Sequence, residues 1–219
     1  VAKAHAYGND FLYVPQAEVD GVDGPSLARE MCHRTTGIGA DGLILYAPTP
    51  SGATMRLFNA DGSRAEVSGN GVRALGALLG MRAPDGPLQL TIQTEGGLKQ
   101  LSRLERDGNR QLFRAGMGMP TGLQRVRVAA AGEDVDAVVL NMGNPQLIIL
   151  GELPDDARFN RLGAALEHHE LFPEGTNVEF VHVESPGRLR IRIWERGCGP
   201  TSSSGTGSCA SLVAAAAFG

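Results

Sequence analysis

The strongest constraint on the fold is an internal repeat: a glycine-rich motif followed by an apolar segment occurs twice in the chain. The motif reads SGNG at residues 68–71 and SGTG at residues 204–207. Each copy runs into a segment of small apolar residues that is hydrophobic on all sides, at 72–80 and 208–219. A helix that is apolar all round must be enclosed, so each copy predicts a central helix wrapped by a sheet.

Strand-like alternation in both halves of the chain supplies the material for two such sheets. The predicted strands are 41–46, 53–58, 88–93 and 110–114 in the first half, and 136–140, 146–150, 177–183 and 188–194 in the second. Two further helices are predicted at 26–33 and 160–168. The turn-rich stretch 117–122 (MGMPTG) separates the halves.

These patterns together predict an α+β fold of two pseudo-symmetric domains, residues 1–117 and 118–219. Each domain is expected to be a curved, mainly antiparallel sheet around one central helix, with the active site in the cleft between the domains. The N-terminus of a helix offers unpaired N–H groups and the positive end of a dipole, so two such ends suit a carboxylate. A simpler interpretation is that Ser68 and Ser204 are only helix caps.

Composition excludes several classes of function. Of the 219 residues, 42% are hydrophobic, which is enough for real cores, and a net charge of −4 gives no basic footprint for nucleic acid. No apolar run reaches the roughly 20 residues of a membrane helix. The chain begins at Val1 without a basic-then-apolar leader, so we expect a soluble, cytoplasmic protein that binds neither nucleic acid nor membranes.

Cysteine and lysine usage argues against bound cofactors. The three cysteines, Cys32, Cys198 and Cys209, form no CxxC pair and no zinc-type cluster, so neither disulfides nor a metal are expected. Lys3 and Lys99 are the only lysines that could form a pyridoxal-phosphate Schiff base, which disfavours that cofactor. We expect Cys32 and Cys209 to be packed as small hydrophobic residues, whereas Cys198 lies in a turn that could approach the cleft.

Several motifs occur in order along the whole chain and together resemble the diaminopimelate epimerase family. They are GNDF at 8–11, GIGADG at 37–42, NADGS at 59–63, GNGVR at 69–73, MGNP at 142–145, FPE at 172–174 with Asn177, ERG at 195–197, and SGTGSCA at 204–210. The resemblance implies a cofactor-independent epimerase that interconverts LL- and meso-diaminopimelate in lysine and peptidoglycan-precursor synthesis. It also implies an amino diacid as substrate; a homodimer is left open.

The resemblance also assigns roles to residues of this chain. In the family, two thiols at the starts of the central helices exchange protons with the α-carbon, and here these positions are Ser68 and Ser204. Glu195 matches a family carboxylate close to the reacting centre. The residues implied to bind substrate are Asn9, Asn59, Gly69, Asn70, Asn144, Asn177, Arg196, Gly205 and Thr206. Of these, the Arg196 guanidinium suits a distal carboxylate.

Two departures from the family bear on activity. Serine needs an adjacent base to ionise, so a pair of serines is a poor substitute for two thiols, and Gln146 stands where the family commonly has histidine. The serines could be engineered, natural in a diverged branch, or rescued by neighbouring groups, and the absence of histidine favours divergence. The alternatives are a non-catalytic amino-acid-binding protein and a one-base or elimination enzyme. Since the family continues past the second central helix, we expect the second domain to lack its last strands.

Overall fold

A computed structural model describes all 219 residues and divides the chain into two compact units, Val1–Gly118 and Met119–Gly219. Each unit contains one sheet and a central helix that begins at one copy of the repeated motif. The predicted α+β class, with curved and mainly antiparallel sheets, is confirmed. No helix of the structure is both long and apolar enough to cross a membrane.

The N-terminal unit has eight strands and two α-helices. In chain order they are β1 (Ala2–Ala6), β2 (Asn9–Pro15), α1 (Gly24–Cys32), β3 (Gly42–Thr49), β4 (Gly52–Asn59), β5 (Arg64–Ala65), α2 (Gly69–Gly80), β6 (Leu88–Thr94), β7 (Gly97–Asp107) and β8 (Arg110–Gly116). The sheet order is β1-β2-β3-β4-β6-β7-β8, with β5 paired to β4. The pairs β2–β3 and β4–β6 are parallel and the others antiparallel.

The C-terminal unit has six strands and two α-helices. They are β9 (Thr121–Ala130), β10 (Glu133–Asn141), β11 (Pro145–Leu150), α3 (Asp156–Glu167), β12 (Asn177–Ser185), β13 (Arg188–Glu195), β14 (Gly199–Thr201) and α4 (Gly205–Phe218). The sheet order is β14-β13-β12-β11-β10-β9, and only β11–β12 is parallel. In both units, therefore, a parallel strand pair joined by a helical crossover lies next to the central helix.

The central helices are held by close packing of small residues against the strands. In α2, Val72 and Leu75 are fully buried in the N-terminal core, and a Cβ on Gly76 would come within 2.5 Å of Leu101. In α4, Ala210 and Ala214 are fully buried and the helix contacts β10 to β13. The all-round apolar character of these helices thus corresponds to close approach of helix and sheet.

Some boundaries differ from the predictions. Helix α3 begins at Asp156 rather than residue 160, because the Asp155 carboxylate caps it by accepting from the N–H of Arg158 at 2.8 Å. Strand β9 begins at Thr121, inside the stretch predicted to be a turn. The sequence patterns do not predict six strands, namely β1, β2, β5, β7, β9 and β14. Strand β2 is a nearly continuous buried run and most of β9 is exposed, so neither shows clear alternation.

Candidate active site

The repeated motifs form two helix caps with the same geometry. The Ser68 hydroxyl accepts a hydrogen bond from the N–H of Gly71 at 3.1 Å, and the Ser204 hydroxyl accepts one from Gly207 at 3.1 Å. Both serines have extended backbones, as N-caps require. The first N–H groups of each helix have no acceptor within the helix, and such unpaired donors at a helix N-terminus are the kind of group that binds anions.

In the N-terminal unit, the cap is connected to a hydrogen-bonded chain of polar side chains. The amide of Asn70 donates to the Asn9 carbonyl oxygen at 3.2 Å, and the amide of Asn9 donates to Asp41 at 2.9 Å. Arg73, one turn further along α2, donates to the carbonyl oxygen of Asn70. Asn9 and Asn70 are buried, so these bonds satisfy polar groups that would otherwise be costly to bury.

Asn59 lies beside this chain, at the end of β4. In the register of the sheet, Asn59 pairs with Gly42 on β3, and Gly42 pairs with Phe11 on β2. The Asn59 amide donates to Ser63 Oγ at 3.0 Å across the following turn. The structure therefore brings Asn9, Asn59 and Asn70 to one end of the N-terminal sheet.

Asp41, the last of these hydrogen-bonded side chains, also belongs to a cluster of ion pairs. Arg34 donates to Asp10 at 2.9 Å and to Asp41 at 2.7 Å, and Lys3 lies 3.0 Å from Asp10. Partial burial opposes ionisation of Asp10, but hydrogen bonds from Arg34 and Lys3 outweigh it and lower its pKa to about 2. Asp10 and Asp41 were not singled out in the sequence, although both lie in the family-like motifs at 8–11 and 37–42.

In the C-terminal unit, buried polar side chains surround Ser204. The amide of Asn144 lies 3.4 Å from Thr206 Oγ1, which lies 3.5 Å from Ser204 Oγ. The Asn177 amide donates to the Pro145 carbonyl oxygen at 3.0 Å. These side chains are all buried, and we refer to them together as the buried cluster of this unit: Asn144, Asn177, Ser204 and Thr206.

Arg196 and Glu195 approach the same cluster from the end of β13. The Arg196 N–H donates to the Asn177 carbonyl oxygen at 3.1 Å, and its guanidinium donates to the Glu174 carbonyl oxygen at 3.2 Å. Glu195 is close enough to affect the ionisation of a second carboxyl group, that of Glu179 on β12. The two predicted residues therefore lie at the half-buried margin of the cluster.

Glu179 is the residue of this unit that the sequence analysis missed. Its side chain is fully buried, and burial together with the charge of Glu195 raises its pKa well above the ordinary range. It is placed two residues after Asn177, so both side chains point to the same face of β12. The available signal was an acidic residue at an inward position of a strand otherwise rich in apolar residues.

The cysteines lie outside both caps. Cys32 is buried, and burial with the nearby charges of Asp10 and Asp41 raises the pKa of its thiol to about 11, so it is a poor nucleophile. Cys198 is exposed, and Cys209 on α4 is half-buried. The structure contains no group of three or more histidine, cysteine or acidic side chains arranged to hold a metal ion.

The fold is shared with a solved racemase and a solved epimerase whose sequences are only 17% and 16% identical to this chain. A probable proline racemase from Agrobacterium radiobacter superposes with a TM-score of 0.76 at 17% identity, covering 99% of this chain and 77% of that one. A hydroxyproline epimerase from Agrobacterium vitis gives a TM-score of 0.74 at 16% identity, covering 98% and 75%. The architecture is therefore that of the proline racemase and epimerase fold.

Sequence comparison narrows this class to one family. The family model described as diaminopimelate epimerase matches residues 1–122 and 138–219. The diaminopimelate epimerase of Desulforudis audaxviator is 41% identical over 228 residues, covering 97% of this chain and 81% of the relative. That of Desulfitobacterium hafniense is 38% identical, covering 98% and 82%. The chain belongs to the diaminopimelate epimerase family.

Proposed function

We propose that this chain is an amino-acid epimerase that interconverts LL- and meso-diaminopimelate without pyridoxal phosphate. The observation that carries the proposal is the pair of matching serine caps, Ser68 and Ser204, in a chain of this family. Diaminopimelate epimerases are its named relatives at 35–41% identity. Each unit thus contributes one proton-exchanging position to the reaction.

In this mechanism, one cap removes the proton from the α-carbon and the other delivers a proton to the opposite face of the planar carbanion. The helix N-terminal N–H groups beside Gly69 and Gly205 hold the α-carboxylate. The negative charge that develops on loss of the proton spreads onto that carboxylate, where the N–H groups and the helix dipole stabilise it. This arrangement supplies the electrostatic stabilisation that a cofactor supplies in other racemases.

The remaining polar groups are assigned to substrate recognition. Asn70 and Thr206, at the second position of each helix, bind the reacting amino-acid end. The Arg196 guanidinium binds the distal carboxylate, because a planar fork of N–H donors matches two carboxylate oxygens. The rest of the substrate is bound by Asn9, Asn59, Asn144 and Asn177. Glu195 supports proton exchange at Ser204.

The presence of serine at both caps determines the expected rate of proton exchange. A hydroxyl ionises far less readily than a thiol and needs an adjacent base, so the Ser68 and Ser204 pair exchanges protons slowly. The same feature favours a second candidate, a non-catalytic protein that binds an amino diacid on this scaffold. Gln146, in the position where histidine is common in the family, supports that second candidate further.

The test is incubation with LL-diaminopimelate in heavy water. Epimerisation predicts deuterium at the α-carbon in both the LL and meso products. Deuterium in LL-diaminopimelate alone, with no meso isomer formed, would indicate one-base chemistry. Loss of both stereoisomers would indicate elimination, and binding without exchange would establish the binding protein instead. The double variant Ser68→Ala/Ser204→Ala should abolish exchange, whereas Ser102→Ala, which changes a half-buried serine on β7 that donates to Gln89, should not.

Three expectations from the sequence stay predictions alongside this proposal. They are the substrate position in a cleft between the domains, the homodimer, and the location in the cytoplasm.

A further inference from the structure

A polar pair of side chains under the central helix distinguishes the C-terminal unit from the N-terminal unit. In the N-terminal unit, Ile44 on β3 lies under the first turn of α2, since a Cβ on Gly71 would come 2.8 Å from its methyl, and Phe11 on the parallel strand β2 belongs to the same apolar core. The parallel strands β11 and β12 place Gln146 and Glu179 in the corresponding positions under α4. There a Cβ on Gly207 would come 2.3 Å from Glu179 Oε1.

This pair is fully buried, and its polar atoms face each other. One amide atom of Gln146 lies 3.0 and 3.2 Å from the two carboxyl oxygens of Glu179. The other lies 2.8 Å from the amide of Asn144 and 3.2 Å from Nδ2 of Asn177. Both side chains have 0% exposure, so they are shielded from water and depend on each other for hydrogen bonding.

From Gln146 the contacts continue to Ser204. Asn144 lies between Gln146 and Thr206, and Thr206 Oγ1 is 3.5 Å from Ser204 Oγ. Amides have a donor end and an acceptor end, so the orientation of one amide fixes that of the next. Whether Glu179 donates or accepts a hydrogen bond therefore determines whether the Ser204 hydroxyl accepts or donates one.

We propose that Glu179 is a positioning residue of the C-terminal half of the site, which sets through Gln146 and Asn144 whether the Ser204 hydroxyl donates or accepts a hydrogen bond. The proposal rests on the proposed function, because it assigns a role to Ser204 in proton exchange. It concerns a residue that does not itself touch the reacting atoms.

The two directions follow from the protonation of Glu179. The neutral carboxyl donates to the carbonyl oxygen of Gln146, whose nitrogen donates to Asn144; Asn144 then donates to Thr206, and Thr206 to Ser204. Ser204 also accepts from Gly207, so its own proton is left to be delivered. The ionised carboxylate reverses every bond: it accepts from the Gln146 nitrogen, and Ser204 donates to Thr206 and keeps a free lone pair.

Opposing influences act on the balance between these two states. Burial and the negative charge of Glu195 on β13 favour the neutral carboxyl, and both α4 and β11 lack charged side chains that could offset them. The N-terminal end of the α4 dipole favours the ionised form. So does Asn177, because its amide is fixed by Pro145 and Arg196 with Nδ2 pointing towards Gln146, where an oxygen makes the better partner.

The test uses a thiol as a reporter at each cap and needs no turnover. Ser204→Cys and Ser68→Cys are prepared separately, each with Glu179 and with Glu179→Gln, and the thiolate is titrated by its ultraviolet absorbance. The ionised carboxylate makes the group at position 204 a hydrogen-bond donor and so favours the thiol, and its removal in Glu179→Gln should raise the thiolate-to-thiol ratio there about threefold once the pH exceeds the pKa of Glu179. At position 68, where Ile44 replaces the carboxyl group, the ratio should not change.

A second variant separates the hydrogen-bonded chain from direct electrostatic influence. Gln146→Met keeps the volume and leaves Glu179 in place but cannot relay a hydrogen bond, so the pH-dependent response at position 204 should disappear. A response that persists in Gln146→Met, or that is equal at positions 68 and 204, would overturn the proposal. Failure of the heavy-water exchange would refute the proposed function and leave this thiol result intact.

Discussion

Glu179 occupies the space into which a side chain at Gly207 would project: its Oε1 atom lies 2.3 Å from the position of a Cβ there. Ser204 Oγ lies 3.1 Å from the same position. The absence of a side chain at Gly207 thus allows a buried carboxyl and the helix cap to share the first turn of α4. The corresponding neighbour of Gly71 is a methyl group of Ile44, which can rotate away.

The first prediction is that Gly207→Ala destabilises the protein by about 1–3 kcal/mol, because the added methyl overpacks against the Glu179 carboxyl. Gly71→Ala should cost less, since the contact there is with the end of an aliphatic side chain. Urea unfolding measures both. Gly187→Ala, where no atom lies within 4 Å of the new methyl, is the matched control and should stay within about 0.5 kcal/mol. Equal losses of unfolding free energy in Gly207→Ala and Gly187→Ala would show that a methyl at position 207 is not crowded.

The duplicated motif was enough to predict both central helices and their caps, since Ser68 and Ser204 precede glycines and apolar runs that can form little else. The duplicated motif does not predict the buried carboxyl of Glu179. The alternation of β12 indicates which residues share a face, but not that this face lies under α4 rather than in water. That depends on the parallel pairing of β11 with β12, which joins segments about 30 residues apart and leaves no local pattern.

Acid should destabilise the N-terminal unit through Asp10. Its folded pKa of about 2 is below the ordinary value of 3.8, so its stabilising effect is present above pH 4 and is lost as the pH falls towards 2. The expected contribution is about 1–2 kcal/mol, allowing for solvent screening at the exposed Arg34. Asp10→Asn should therefore reduce stability at pH 7 and flatten the acid limb of the unfolding profile. Asp20→Asn, at an exposed position, should do neither.

Alkali should act in the opposite sense through Glu179. The pKa of this carboxyl is raised by burial and by Glu195, so the folded state favours its neutral form. Stability is fully present below the unfolded pKa and declines as the pH rises towards the folded pKa, by at most about 1.4 kcal/mol per pH unit. Glu179→Gln should remove this decline in denaturant unfolding between pH 5 and pH 9. The buried Glu167, which accepts from Trp194, provides the control Glu167→Gln. An unchanged slope in Glu179→Gln would show that the carboxyl is already ionised.

Thiols at both caps should increase proton exchange. In Ser68→Cys/Ser204→Cys, each thiol stands at a helix N-terminus, which lowers its pKa and supplies the thiolate and thiol that two-base exchange needs. We expect α-deuterium incorporation from LL-diaminopimelate to rise at least about hundredfold, the scale of general acid–base catalysis. Ser208→Cys, one turn into α4, introduces a thiol away from the cap and should give no increase. A double variant with no exchange would point to Gln146 as the limiting residue.

Arg196 should determine selectivity for a second carboxylate. Its backbone and guanidinium are held by Asn177 and the Glu174 carbonyl oxygen, which fixes the side chain beside the buried cluster. Loss of a charge-assisted pair in Arg196→Met should raise the Kd for meso-diaminopimelate about tenfold or more, while the weaker binding of lysine, which lacks the distal carboxylate, should change little. Calorimetric titration measures both ligands. Arg190→Met changes an arginine on β13 that is ion-paired with Glu184, and it should leave both affinities unchanged. An equal loss for lysine would mean that Arg196 contacts the reacting end of the substrate instead.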